Sequence, residues 1–162
     1  MPSHFEGNVD ARWLVEEGED RKMQLLADFA FSDSTNFKWE AKVGDIVDGA
    51  SIPEAIWSEV VGTPFIGDYR RASVVHDVAC DKHIKTSKDA HRMFYEAMLA
   101  DGTSQARALL FYTAVRLFGP QWEATVSGIT NKQFKMALPR KVIEQVIDFK
   151  MLEAALDRAL EG

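Results

Sequence analysis

The feature that most constrains this fold is a change of period along the chain. From Phe37 to Val43 apolar and charged residues alternate by twos (Phe37, Lys38, Trp39, Glu40, Ala41, Lys42, Val43), so one face of an extended strand is buried and the other is wet. Met23, Leu25, Ala27, Phe29 and Phe31 repeat that alternation, and Trp13 to Val15 precede a turn signal at Glu17-Gly18-Glu19-Asp20. This predicts a three-stranded antiparallel meander within residues 10–47. Beyond it the apolar spacing becomes threes and fours, which strands cannot use and helices require.

The helical part opens at Ser51, followed three residues later by Glu54 with Pro53 between them, which reads as a capping box. That helix is short and ends near Gly62. Further helices are expected over 69–83, 87–100 and 104–118, with Gly102 and Gly119 as stops and Pro120 blocking continuation. A last amphipathic helix over 139–161 places Val142, Val146, Phe149, Leu152, Leu156 and Leu160 on one stripe, which should be covered by the domain or by a second copy of the chain. The segment from Gln121 to Leu138 reads as a long loop. The fold class is therefore α+β, a meander followed by a bundle of about five helices, in a single domain over residues 1–162, with the helical motif region at 51–120.

Composition narrows the function classes. Apolar residues make up 46% and charged residues 27%, and the longest apolar run, Ala108 to Val115, is interrupted by Thr113, so no membrane span is expected. The first ten residues hold no apolar block of the kind a secretory leader needs, and the single cysteine, Cys80, fits a reducing compartment; residence in the cytoplasm, a host cell's if the chain is phage-encoded, is expected. A net charge of −6 argues against general binding to nucleic-acid backbones.

Chemistry concentrates in Asp48, His76, Asp77 and Asp89. His76 and Asp77 are adjacent on one expected helix, Cys80 and Asp81 lie one turn further on, and Asp89 opens the antiparallel neighbour. An imidazole beside carboxylates suits a divalent metal (Zn, Mn or Mg) on His76, Asp77 and Asp89, with His76, Asp77 and Asp48 as the catalytic set. The same residues without metal could form a general base and its orienting acid, and spacing does not separate the two. Each also has a plain structural reading: Asp89 with Thr86 as a capping box, Asp48-Gly49 as a turn, Ser51 as a helix cap, His76 as a satisfied core histidine, Cys80 as a small buried apolar residue, and His83 and His91 as surface residues, although either of these two could reach the cluster.

Taken in order, Asp48-Gly49-Ala50-Ser51-Ile52-Pro53, Trp57, Val75-His76-Asp77, Asp89-Ala90 and Phe94 resemble the phage and prophage proteins grouped as domain-of-unknown-function family 1353. The resemblance covers Asp48 to Gly119. It implies a tailed-phage or prophage origin and a single site where the Asp-Gly loop meets the His-Asp helix, without implying a settled activity. The chain departs from the pattern at Ala79-Cys80-Asp81, where an aromatic is expected. Two functions follow as alternatives. One is a metal-assisted hydrolase of a phosphoester, ester or amide. The other is a non-catalytic accessory or host-interaction protein in which the polar cluster is a buried hydrogen-bond network.

Overall fold

The computed structural model describes residues 2–15, 22–49, 67–122 and 149–161. In chain order these form strands β1 (His4–Glu6), β2 (Ala11–Trp13), β3 (Met23–Leu25), β4 (Phe29–Ser32), β5 (Lys38–Ala41) and β6 (Ile46–Val47), then helices α1 (Arg70–Asp81), α2 (Ser87–Ala100), α3 (Gln105–Phe118) and α4 (Phe149–Glu161). The α+β class holds.

The single meander is replaced by two antiparallel three-stranded sheets, ordered β1-β4-β5 and β2-β3-β6. The segment Met23 to Phe31, read as one alternating strand, breaks at Leu26 to Asp28. There the Asp28 carboxylate accepts the Val43 N–H at 2.9 Å, and the Leu26 N–H turns back to the Asp10 carbonyl at 2.8 Å. The chain satisfies its backbone groups through a corner at this point instead of a continuing ladder, so β3 and β4 enter different sheets.

β4 and β5 pair with Phe29 opposite Ala41 and Phe31 opposite Trp39, and these four side chains are buried. The turn between the two strands is built by Asp33. Its carboxylate accepts from the Thr35 and Phe37 N–H groups at 2.9 and 3.0 Å, from the Thr35 hydroxyl at 2.6 Å and from Trp39 Nε1 at 2.8 Å. Burying a side chain the size of Phe31 or Trp39 contributes about 1.5–3 kcal/mol or more, so this pair forms much of the sheet's attachment to the helices.

Four helices are described, against about five expected. The short helix read from Ser51 to Gly62 lies outside the described residues, as do residues 139–148 of the last one. α1 packs on β5 and on α2, α2 on α3, and α3 on α4. Phe149, Leu152 and Leu156 of the stripe pack against the core of their own chain. Phe149 stacks on Tyr95 at 4.2 Å and meets Tyr112 at 4.9 Å, while Asp157 bonds the buried Arg116 at 2.8 Å. No helix among the described residues is long and apolar enough to cross a membrane.

Candidate functional site

The Asp48-Gly49 turn and α1 meet through one carboxylate. Asp77 Oδ2 accepts the backbone N–H of Asp48 at 2.8 Å and of Gly49 at 3.2 Å. Gly49 has φ +72°, a left-handed conformation that costs a side chain strain, which gives the Asp-Gly pair a physical reason. Residues 29 positions apart in sequence are thus joined as their motif implied. Beside the junction lies an open cleft of about 630 Å³ whose lining includes Asp45, Asp48, Asp77, Cys80, Asp81 and His83. Asp45 is held by Lys82 Nζ at 2.6 Å, and Asp48, Asp77 and Asp81 also lie on the wall.

His76 is fully buried, stacked on Phe94 with ring centroids 4.4 Å apart. Its Nε2 lies 2.9 Å from Nδ1 of His91, which is also fully buried, and 3.5 Å from Cys80 Sγ. The tautomers follow from the end of the chain of bonds. His91 Nε2 lies 3.0 Å from the Pro120 carbonyl, which can only accept, so that nitrogen carries the proton and Nδ1 is bare. His76 Nε2 must then donate to it. His76 Nδ1 is left with a lone pair and no hydrogen-bond partner among the described residues. Burial pushes both imidazoles toward the neutral form. It carries His76 well below the usual histidine range, with His91 adding a smaller push, and lowers His91 to about 3 against the opposing bond to Pro120.

Asp89 sits elsewhere. Its backbone N–H donates to Thr86 Oγ1 at 3.0 Å and its Oδ2 accepts from the same hydroxyl at 2.8 Å, which caps α2. It lines a separate cavity of about 60 Å³ with Asp33, Lys85, Arg92 and Glu96. The structure therefore gathers Asp48, Asp77 and the neighbourhood of His76 and leaves Asp89 outside the cleft lining.

His91, read as a surface residue that could still reach the cluster, is fully buried and lies in it. It lies on the stripe Ala90, Phe94, Ala97 and Met98 of α2, all buried, so the helical spacing carried the signal. With His76 and Cys80 it forms the one group among the described residues in which three or more His, Cys, Asp or Glu ligand atoms crowd together, all within 4.8 Å of one another. His83, read as a surface residue, is exposed, has φ +50° and stacks on Trp122 at 4.8 Å at the cleft rim.

Two curated relatives come from Sinorhizobium fredii. The chain is 41% identical over 112 residues to uncharacterized protein y4jT, covering 69% of this chain and 33% of that one. It is 41% identical over 116 residues to uncharacterized protein y4iH, covering 71% and 48%. The chain thus spans about a third and about half of the length of these relatives. No solved structure matches. Residues 23–115, more than half of the chain and including Asp48, His76, Asp77, Cys80 and His91, match the family described as "Protein of unknown function (DUF1353)", and the chain belongs to that family.

Proposed function

We propose that the chain is a metal-assisted hydrolase of phage or prophage type, working in the acid-lined cleft beside α1. The observation that carries this reading is the junction at Asp77, which holds the Asp48 turn so that Asp48, Asp77 and Cys80 line one open cleft beside a buried pair of neutral imidazoles. Asp48, part-buried on the wall, is the group placed to take a proton from water; Asp77 positions it, and His76 remains a neutral lone-pair donor. A divalent metal would supply the acidified water. Of the three substrate classes a phosphoester fits least, because Asp48, Asp77 and Asp81 repel its charge, and a neutral ester or amide fits better. The phage or prophage setting rests on the family's ordered motifs alone.

One observation favours the non-catalytic alternative: the Asp77 carboxylate already serves as a peg for two backbone N–H groups, which is what a purely structural network would need. A panel of p-nitrophenyl acetate, an amino-acid p-nitroanilide and bis(p-nitrophenyl) phosphate, each with Zn or Mn, separates the two. The hydrolase reading expects turnover of the ester or anilide, reduced about 100-fold or more in folded Asp48→Asn. Silence across the panel would favour the accessory or host-interaction role.

A further inference from the structure

We propose that His76, Cys80 and His91 bind a zinc ion just behind the cleft wall, a ligand set different from the carboxylate-rich one read from sequence. The site stands on metal binding alone; only the use of its open position rests on the hydrolase reading.

The distances come first. A tetrahedral zinc with bonds of roughly 2.0–2.1 Å to nitrogen and 2.3 Å to sulfur holds two nitrogens about 3.3 Å apart and a nitrogen and a sulfur about 3.6 Å apart. His76 Nε2 and His91 Nδ1 lie 2.9 Å apart, and Cys80 Sγ lies 3.5 Å from His76 Nε2. Parting the two rings by a few tenths of an ångström brings these two separations to the zinc values, and all three ligand atoms lie within 4.8 Å of one another. His76 and Cys80 are one turn apart on α1, and His91 comes from the facing α2, so rigid elements hold all three.

The proton arrangement suits a ligand set. His91 Nε2 donates to the Pro120 carbonyl, the outer bond that metal-binding histidines characteristically make, and this leaves Nδ1 bare toward His76 and Cys80. On metal entry Cys80 releases its thiol proton to solvent, and the Nε2 proton of His76 is replaced by the ion while Nδ1 of the same ring takes up a proton. The ring stays neutral and the net release is one proton.

Two imidazoles and a thiolate select zinc over magnesium, calcium or manganese, which prefer oxygen. A dication with one thiolate keeps a charge of +1, and Asp48, Asp77 and Asp81 line the cleft that Cys80 also lines, which offsets it. Three protein ligands leave a fourth position for water, the pattern of catalytic zinc sites.

The test is a titration of chelator-stripped protein with Co²⁺, followed by Zn²⁺. The site predicts one equivalent of tetrahedral cobalt with a thiolate-to-cobalt charge-transfer band in the near ultraviolet, displaced by zinc and lost in Cys80→Ser. It also predicts a zinc-dependent rise in melting temperature of about 5–10 °C at 100 times Kd, absent in Cys80→Ser. Cobalt bound without the band, zinc stabilisation equal in wild type and variant, or no binding at all would overturn the site. The expected band in a protein that hydrolyses none of the model substrates would uphold the site and remove the hydrolase reading.

Discussion

Lowering the pH from 7 to 5 should cost the metal-free fold about 4 kcal/mol through two side chains, His76 and His91. An unfolded histidine titrates near 6.5, so at pH 5 each unfolded imidazole is held about 1.5 pH units into its protonated range, worth about 2 kcal/mol at 1.36 kcal/mol per unit. In the folded chain His91 is lowered to about 3 and His76 well below its usual range, so neither takes up a proton over that window. The sign follows. The folded values are depressed, the unfolded state binds more protons, and stability present above about pH 6.5 is lost as the pH falls toward the folded values. The carboxylates of Asp33 and Asp157, also lowered in the fold, lose their contributions only below about pH 4 and stay out of the window. Urea unfolding at pH 7, 6 and 5 with a chelator present measures the effect. His91→Gln, which removes one of the two groups, should reduce the loss to about 2 kcal/mol. A wild type whose stability is flat from pH 7 to 5, or a variant with the wild-type slope, would refute the assignment of two buried neutral imidazoles.

Asp33→Ala should lower stability by about 1–3 kcal/mol, because it leaves Trp39 Nε1 buried without an acceptor and releases the β4–β5 turn; a thermal melt should fall by several degrees. Asp157→Ala should cost about 2 kcal/mol or more in urea unfolding, since Arg116, 4% exposed, loses its carboxylate partner, whereas Arg158→Ala on the same helix should stay within about 0.5 kcal/mol.

The helices were legible because their signals are local. Thr86 caps α2 through Asp89, Gly102 has φ +92° just past its end, and Gly119 follows α3, so the expected bounds fall within two residues of those found for α1, α2 and α3. The strand Lys38 to Ala41 was legible through its exposed and buried alternation. Sheet membership was not, because pairing is non-local: β1 and β6 are three and two residues long, too short to show a period, and the break at Asp28 depends on a bond to Val43. The meeting of Asp48 and Asp77 was legible through motifs. His91 read first as a surface residue because a lone histidine on an apolar stripe carries no local mark of its partner, and only the approach of α2 to α1 sets it against His76. Asp89 shows the converse, a candidate ligand whose alternative reading as a helix cap with Thr86 is the one its bonds bear out.

The hydrolase reading is tested most directly by turnover of the ester or anilide substrate as metal is removed and restored. Chelator-stripped protein should be inactive, one equivalent of zinc should restore the wild-type rate, and Asp48→Asn loaded with the same zinc should remain about 100-fold or more slower. Equal rates in stripped, reloaded and Asp48→Asn protein, or none in any of them, would contradict it.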